Sequence, residues 1–231
     1  MAPIAFVCAM PMELKPLVKR LGLRRTGVGH EGTLDGRDVV AIVTGMGTRL
    51  AAEGMERLLG AVTPAHVVVV GITGAVEDET PIGAVVLPER VIDGASGREH
   101  HHELLGPGDT HGAMWTTDRI TTAEELPALR EQGVVSLDME TAAIALACEQ
   151  RDVPWTVFRA ISDRATDGSV DEELFRLSDQ DGTPNPRAVA RYVLRHPGRL
   201  PGMIRMGKGA KLATERAAEA AIAAVRAGTA G

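Results

Sequence analysis

The chain has 231 residues, of which 44% are hydrophobic and 24% are charged, and its mean hydropathy is close to zero. This is the composition of a globular protein, and a chain of this length can bury a substantial core without disulfide or metal staples. The net charge of −6 leaves no basic excess to neutralise phosphates, so a nucleic-acid-binding function is not expected.

The chain begins with an apolar run, Ile4–Cys8, that is predicted to be a buried strand. No Lys or Arg precedes this run and the acidic Glu13 follows it, so neither a signal peptide nor a membrane span is expected. Cys8 and Cys148 each lie in an apolar run, which predicts buried, reduced thiols instead of a disulfide or a metal pair. The expected location is cytoplasmic.

Strands and helices alternate along the first two thirds of the chain. Strands are predicted where apolar, often β-branched residues follow one another without helical spacing: Ile4–Cys8, Val39–Thr44, His66–Val70, Ala84–Leu87, Val134–Leu137 and Trp155–Phe158. Helices are predicted between several of these runs, over Met12–Leu21, Leu50–Leu59 and Thr141–Glu149. This alternation predicts one α/β domain over residues 1–231, with helices on both faces of a mainly parallel sheet.

Two segments of the chain show no strand–helix alternation. Asp93–Gly112 holds five glycines and four histidines, and is predicted to be a long surface loop. Its consecutive residues His100, His101 and His102 cannot easily face one ion, so a solvated loop or a lid over a site is favoured over a metal site. Asp179–Pro186 is a polar loop by composition.

From about residue 187 the chain is predicted to form a basic helical tail. Helices are predicted over Arg187–Arg195 and Met203–Ala227, with Pro197 and Pro201 breaking the chain between them.

Carboxylates follow three of the predicted strands. Glu13 follows the first strand, Asp138 and Glu140 follow Val134–Leu137, and Asp163 follows Trp155–Phe158. Each alone is explained by a helix N-terminus, whose dipole favours an acidic side chain. Ligand sites of open parallel sheets form at the carboxyl ends of the strands, so together these side chains predict a partly desolvated site with perturbed pKa values.

Five short blocks occur in an order typical of one protein family. They are Ala9-Met10-Pro11-Met12-Glu13-Leu14, Thr44-Gly45-Met46-Gly47, Gly71-Ile72-Thr73-Gly74-Ala75-Val76, Asp138-Met139-Glu140-Thr141-Ala142-Ala143 and Arg159-Ala160-Ile161-Ser162-Asp163. Over roughly residues 4–175 the chain resembles the nucleoside phosphorylase superfamily, and within it the 5′-methylthioadenosine/S-adenosylhomocysteine nucleosidases. The resemblance implies a three-layer α/β/α fold with a twisted mixed sheet, a homodimer, and no metal or organic cofactor.

The resemblance also implies roles for individual residues. Glu13 matches the group that positions and deprotonates the attacking water, and Asp163 matches the acid that protonates the purine at N7. Glu140 matches the carboxylate that binds the ribose hydroxyls, with Met139 packed under the sugar. The other substrate-binding positions are Met46 on the 5′ side of the sugar, Asp118 and Ile120 in the purine-recognition segment, and the supporting groups Asp138, Arg159 and Ser162.

The chain departs from the nucleosidase pattern at two places. Ile72 stands where these enzymes usually have a small polar residue that helps to hold the nucleophile, and the adjacent Thr73 is the candidate to replace it. The stretch from Val91 to Trp115 is shorter by about one helix in a region that normally contributes to substrate or partner-subunit contacts, which leaves the choice of substrate open.

The expected reaction is hydrolysis of the N-glycosidic bond of an adenine-type purine nucleoside. Methylthioadenosine, adenosylhomocysteine or another 5′-substituted adenosine would be the substrate, and a general acid at the purine contributes about 10²–10⁴-fold to such a rate. Phosphorolysis, with phosphate as co-substrate, is the alternative because Arg49 and Arg159 could bind the anion. A non-catalytic nucleoside-binding protein would not need all three of Glu13, Glu140 and Asp163.

Overall fold

The computed structural model describes residues 2–164, 183 and 185–228. The strands are β1 Ile4–Cys8, β2 Arg24–Arg25, β3 His30–Leu34, β4 Arg37–Val43, β5 His66–Ala75, β6 Val85–Val86, β7 Arg90–Asp93, β8 Glu99–His100, β9 Ala113–Thr116, β10 Val134–Asp138 and β11 Trp155–Arg164. The helices are α1 Pro11–Leu21, α2 Thr48–Ala61, α3 Leu126–Glu131, α4 Thr141–Glu149, α5 Pro186–Arg195 and α6 Leu200–Gly228, with a 3₁₀ turn over Pro197–Arg199.

The strands form one mixed sheet in the order β2-β3-β4-β1-β5-β10-β9-β7-β8, and β11 pairs with β5 and with the short β6. The central strands β4, β1, β5 and β11 are parallel, whereas β10 runs antiparallel to the end of β5. This arrangement confirms the predicted α/β fold with a mixed, mainly parallel sheet. The second half of β5, residues 71–75, is the place where β10 and β11 both meet the central strand.

Both faces of the sheet are covered because alternate residues of each buried strand face opposite sides. On one face Phe6, Val68 and Phe158 pack with apolar residues of α1 and with the alanines of α6. On the other face Val7 and Val69 pack with side chains of α2 and α4. The result is the three-layer α/β/α arrangement, and it explains why the central strands are apolar at every position instead of every second one.

The strand that was predicted to end at Val70 runs on through the glycine-containing block from Gly71 to Gly74. The block continues β5, and the matching residues of β11 continue alongside it from Arg159 to Arg164. Glycine is needed at Gly71 for space, because a Cβ there would lie 2.3 Å from Glu13 Oε1 and 2.3 Å from Arg159 Nη1. Both strands therefore run on beyond their apolar parts and carry the polar residues of the site.

Other element predictions also need correction. Edge strands β2 and β3 and the strands β7 and β9 were not predicted, because their short, partly polar sequences gain strand structure only by pairing. The predicted loop Asp93–Gly112 contains β8, which pairs with β7. Pro201 does not break the last helix but lies in the first turn of α6, where a missing N–H costs nothing.

Of the predicted loop Asp179–Pro186, residues 179–182 and 184 lie outside the described part of the chain. Pro186 belongs to α5, which begins there after the side chain of Asn185 has accepted hydrogen bonds from the N–H groups of Arg187 and Ala188. Within the described ranges no helix is long and apolar enough to cross a membrane. Cys8 and Cys148 are buried free thiols, as predicted.

Candidate active site

Arg159 is the centre of a buried polar cluster between the ends of the central strands. Its side chain is only 1% exposed, because β11 carries it inward opposite Gly71 of β5. Its Nη2 lies 2.7 Å from Asp138 Oδ2 and 3.3 Å from Glu140 Oε2, and its Nη1 lies 3.5 Å from Glu13 Oε1. Arg159 thus brings together three of the carboxylates that the sequence places after strands.

Glu13 is fully buried in the first turn of α1 and is held by backbone donors. Its Oε2 accepts hydrogen bonds from the N–H groups of Ala9 at 2.8 Å and Met10 at 2.9 Å. Its Oε1 accepts the N–H of Ile72 at 2.8 Å, so the carboxylate joins α1 to β5. Burial raises the pKa of Glu13, while Arg159 and these three N–H groups act in the opposite direction.

Both carboxylate oxygens of Asp138, the last residue of β10, accept hydrogen bonds from other residues of the protein. Its Oδ1 accepts the hydroxyl of Thr116 at 2.5 Å, and its Oδ2 accepts the N–H of Thr141 at 2.9 Å as well as the Thr141 hydroxyl. Arg159 donates to the same Oδ2. Asp138 therefore orients Arg159 and the start of α4.

Glu140 lies at the N-terminus of α4 and reaches the loop between β4 and α2. Its Oε1 accepts the N–H of Gly47 at 2.9 Å. Gly47 has φ of 90°, a conformation that favours glycine and that directs its N–H to the carboxylate. Burial and the neighbouring Asp138 and Glu13 raise the pKa of Glu140 to about 7, against the opposing effect of Arg159.

The cluster has more acidic groups than basic ones. With Glu13, Asp138 and Glu140 ionised around the single guanidinium of Arg159, the site has an excess of negative charge in a buried environment. Burial raises the pKa values of both Glu13 and Glu140 even though both carboxylates face an arginine, and for Glu140 the charges of Asp138 and Glu13 add to the effect of burial. The excess of negative charge would stabilise positive charge that develops on a ligand next to the cluster.

Asp163 lies near the end of β11, beside the same part of β5. The Ser162 hydroxyl contacts Asp163 Oδ1 and the carbonyl oxygen of Thr73, the latter at 3.3 Å. A Cβ at Gly74 would lie 3.5 Å from Asp163 Oδ2, so the carboxylate sits directly over that glycine. Since Glu13 is bonded to Ile72 and Ser162 to Thr73, β5 brings the two carboxylates of the expected acid–base pair to neighbouring positions.

The remaining expected site residues lie around this edge of the sheet. Met46 precedes Gly47 in the loop that contacts Glu140, and Met139 precedes Glu140; both are half-buried. Asp118 accepts the N–H of Thr48 at 2.8 Å and its hydroxyl at 2.5 Å, so its side chain caps the N-terminus of α2. Ile120 is half-buried two residues further along the same loop.

The side chains at the positions where the sequence departs from the family pattern face the protein. Ile72 offers its backbone to the site, with its N–H on Glu13 and its carbonyl oxygen 3.2 Å from Arg159 Nη1, while its side chain packs against the core. Thr73 donates its hydroxyl to the carbonyl oxygen of Leu137 at 2.7 Å. Its hydroxyl proton is thereby used to join β5 to β10.

A cavity of about 660 Å³ opens beside Asp163. The floor is formed by the end of β11 with Ser162, Asp163 and Arg164, and Tyr192 of α5 contributes to the wall. Most of the remaining wall comes from the 3₁₀ turn and the first turns of α6, residues 198–212. The volume is in the range of cavities that bind small organic ligands.

Three polar contributors to the site were missed by the sequence analysis. Thr116 and Thr141 hold Asp138, and the N–H of Gly47 binds Glu140. Thr116 ends a strand that was not predicted, so nothing in the sequence marked it as facing the site. Thr141 lies within the block around Glu140, and its position directly after that carboxylate was the available signal.

The histidines of the loop after β7 do not gather around one point. His100 is buried with its Nδ1 2.9 Å from Glu149 Oε1, and His102 donates from Nε2 to the carbonyl oxygen of Pro88 at 2.5 Å, whereas His101 is exposed. Among the described residues no group of three His, Cys, Asp or Glu side chains could hold a metal ion.

The sequence and the fold can be compared with those of known proteins. The family described as the Phosphorylase superfamily matches this chain over residues 3–111 and 107–195. A 5′-methylthioadenosine/S-adenosylhomocysteine nucleosidase of a Marinomonas species is 25% identical over 173 residues, which is 58% of this chain and 71% of that protein.

Solved structures have the same fold at low sequence identity. The 5′-methylthioadenosine/S-adenosylhomocysteine nucleosidase of Neisseria meningitidis, in complex with methylthio-immucillin-A, has a TM-score of 0.72 and 18% identity and covers 99% of this chain and 100% of its own. The futalosine hydrolase of Helicobacter pylori has a TM-score of 0.70 and 13% identity, over 96% of this chain and 97% of its own. These likenesses establish the fold.

Proposed function

The chain belongs to the Phosphorylase superfamily, and from this membership we propose that it is an enzyme that hydrolyses the N-glycosidic bond of a purine nucleoside. The observation that carries the proposal is the buried cluster in which Glu13, Asp138 and Glu140 surround Arg159. Related or similarly folded proteins include nucleosidases that act on methylthioadenosine and adenosylhomocysteine. A 5′-substituted adenosine is therefore the proposed substrate class.

The charge of the cluster suits this reaction. Cleavage of the bond between C1′ and the purine nitrogen leaves positive charge on the ribosyl ring, and a fixed negative environment stabilises that charge. Glu140 has one oxygen on Gly47 and the other near Arg159, a position from which it can accept hydrogen bonds from the ribose hydroxyls. Met139 next to it would pack under the sugar and Met46 on its 5′ side.

Glu13 is the proposed base for the attacking water. Three of the four lone-pair sites on its carboxylate accept backbone N–H groups, which leaves one site on Oε1, beside Arg159, for a proton of the water. Because its pKa is raised, the ionised carboxylate of Glu13 is a stronger proton acceptor than an ordinary glutamate. The fixed N–H donors hold it in position without loss of entropy during the reaction.

Asp163 is the proposed acid for the departing purine. The Ser162 hydroxyl holds one of its oxygens, and the other lies over Gly74, where the lack of a side chain leaves room for a planar base. Proton transfer from Asp163 to N7 would neutralise the negative charge that builds on the purine. Asp118 and Ile120 are proposed to lie at the purine end of the site. Asp118 would act by holding their loop against the start of α2, where it accepts the N–H of Thr48.

Water is favoured over phosphate as the nucleophile. Arg159 is held by three carboxylates, and Arg49 is exposed and pairs with Glu53 at 2.6 Å. Neither guanidinium is therefore placed to bind a phosphate dianion without first losing a carboxylate partner. Thr73, which donates its hydroxyl to Leu137, retains acceptor capacity with which to hold the water.

The oxygen of the water bonds to C1′ as the bond from C1′ to the purine breaks, while one proton passes from the water to Glu13 and another from Asp163 to the purine. No electrons are exchanged with another group, so we infer that the enzyme needs no metal or organic cofactor. A homodimer in the cytoplasm remains part of the proposal, supported by the resemblance to nucleosidases. The proposed substrate of the enzyme is a small nucleoside and not a nucleic acid.

Product analysis tests the proposed function. The protein is incubated with methylthioadenosine, adenosylhomocysteine, adenosine and inosine, with and without phosphate, and the free base is followed by chromatography. Base release from at least one of them without phosphate is expected, and the same preparation of Glu13→Gln serves as the control for contaminating enzymes. A requirement for phosphate would assign a phosphorylase, and tight binding without base release would assign a nucleoside-binding protein.

A further inference from the structure

The end of the chain contains a segment whose charge is opposite to that of the whole protein. Residues 185–212, called here the basic segment, comprise α5, the 3₁₀ turn and the first turns of α6. They contain no Asp or Glu, although the chain as a whole has a net charge of −6. Its cationic residues are Arg187, Arg191, Arg195, Arg199, Arg205, Lys208 and Lys211.

Large apolar side chains are exposed on the same segment. Leu194 is 83% exposed, Ile204 52% and Leu200 42%, and Leu212 is exposed as well. Elsewhere in the described residues only Val28, Val85 and Leu104 are large, apolar and exposed, and each is at most 39% exposed. Exposed leucine and isoleucine side chains cost free energy in water, so a concentration of them marks a surface that contacts another apolar phase or molecule.

The basic segment also lines the cavity beside Asp163. Its residues between Gly198 and Leu212 form most of the wall of the cavity whose floor holds Asp163. The exposed side chains of Leu194, Leu200 and Ile204 do not line that cavity and therefore project from the outside of the same wall. Whatever binds the outside of the segment would lie next to the cavity that contains the proposed acid.

We propose that the basic segment docks the enzyme on the surface of an anionic lipid bilayer. Helical segments that combine exposed Leu and Ile with Lys and Arg bind at membrane interfaces, where the apolar groups enter the acyl boundary and the cations meet anionic headgroups. Docking in this way needs no spanning helix, and the absence of one among the described residues does not bear on it. The cavity beside Asp163 would then lie behind this wall, next to the bilayer surface.

A bilayer fits these observations better than a nucleic acid. Phosphate backbones are bound by cations and hydrogen-bond donors, and unstacked bases stack on aromatic side chains. The exposed Leu194, Leu200 and Ile204 supply neither kind of contact. The segment has one aromatic residue, Tyr192, and it is only 4% exposed. The apolar groups and the cations find partners together only at an anionic membrane surface.

Vesicle co-sedimentation tests the proposal with the whole chain. Sucrose-loaded vesicles of phosphatidylcholine alone, and of phosphatidylcholine with phosphatidylglycerol, are titrated against the protein at low and high salt. Binding to the mixed vesicles, weak binding to phosphatidylcholine alone, and a decrease in binding with salt are expected. Equal binding to both vesicle types, or no binding to either at low salt, would overturn the proposal.

Two pairs of substitutions outside the cavity wall separate the apolar and the cationic contributions. Leu194→Ser with Ile204→Ser, and Arg191→Gln with Arg195→Gln, should each weaken binding to the mixed vesicles about tenfold. Leu104→Ser, and Arg24→Gln with Arg25→Gln, change exposed side chains outside the basic segment and should leave binding unchanged. Unchanged binding in both pairs of the segment would refute the docking surface.

Two further measurements identify other occupants of the surface. Duplex DNA that binds more tightly than the mixed vesicles at the same salt would assign the segment to nucleic acid. Light scattering that shows a dimer dispersed by the Leu194 and Ile204 substitutions would assign it to self-association. Vesicle binding is measured without a substrate, so its outcome is independent of whether the proposed nucleosidase activity is found.

Discussion

Replacing Glu13 with Gln tests the centre of the proposed mechanism. The carboxylate accepts N–H groups from Ala9 and Met10 on Oε2 and from Ile72 on Oε1. A glutamine of the same shape can accept hydrogen bonds only at its carbonyl oxygen, because its NH₂ group is a donor. Placed with the oxygen toward Ala9 and Met10, it directs its NH₂ at the N–H of Ile72 and at Arg159.

The magnitude follows from this one mismatch. The better orientation leaves a single buried N–H without an acceptor, which costs about 1–3 kcal/mol of folding stability, whereas the opposite orientation would leave two. The variant should therefore fold, and its turnover should fall by about 10²–10⁴-fold because the base is lost. Urea denaturation measures the first quantity, and steady-state release of purine base measures the second.

The stability difference between the wild type and Glu13→Gln should also change with pH, in a direction that the pKa of Glu13 determines. Burial raises the pKa of Glu13 above the ordinary value of 4.5, so the side chain stabilises the fold most when protonated, and that contribution is lost as the pH rises through the raised pKa. Glutamine has no such dependence, so the deficit of the variant should shrink as the pH increases above about 4.5. Glu56→Gln, at an exposed ion pair with Arg151, is the matched control and should leave activity unchanged.

Two results would refute this reasoning. Turnover within tenfold of the wild type in a folded Glu13→Gln variant would show that Glu13 is not the base. A deficit in stability that grows with pH would show that the buried carboxylate is stabilised in its ionised form, contrary to its burial next to Asp138 and Glu140.

Three further predictions concern other parts of the site and the fold. Asp163→Asn should lose about 10²–10⁴-fold in turnover while ligand affinity measured by calorimetry is retained, and an active variant would mean that another group is the acid. Gly71→Ala should abolish activity and cost about 1–3 kcal/mol in urea denaturation, since the new Cβ would lie 2.3 Å from Glu13 Oε1; unchanged stability would contradict the packing. Burial lowers the pKa of His66 to about 4, so the free energy of unfolding should fall as the pH drops below about 6.5, by about 2 kcal/mol at pH 5. Urea denaturation of His66→Gln should show a weaker pH dependence, and identical pH profiles for the variant and the wild type would rule out His66 as the source.

The positions of the predicted site residues show how far local sequence reaches. The central strands β1, β5 and β11 were predictable because both of their faces are buried, which requires apolar residues at every position. Glu13, Asp138, Glu140 and Asp163 could be singled out because they follow such strands, at the edge where sites form.

What the sequence by itself determined was the α/β class, the central strands and the carboxylates at their ends. Only the tertiary structure decided that β10 runs antiparallel to β5, that Asp138 binds Thr116, Thr141 and Arg159, and that Asp118 caps α2. The apolar pattern of a buried strand is local, so it can be recognised from consecutive residues of the sequence. The buried carboxylates bind partners that lie 21, 59 and 93 residues away in the chain, and only the packed sheet brings them within hydrogen-bond distance.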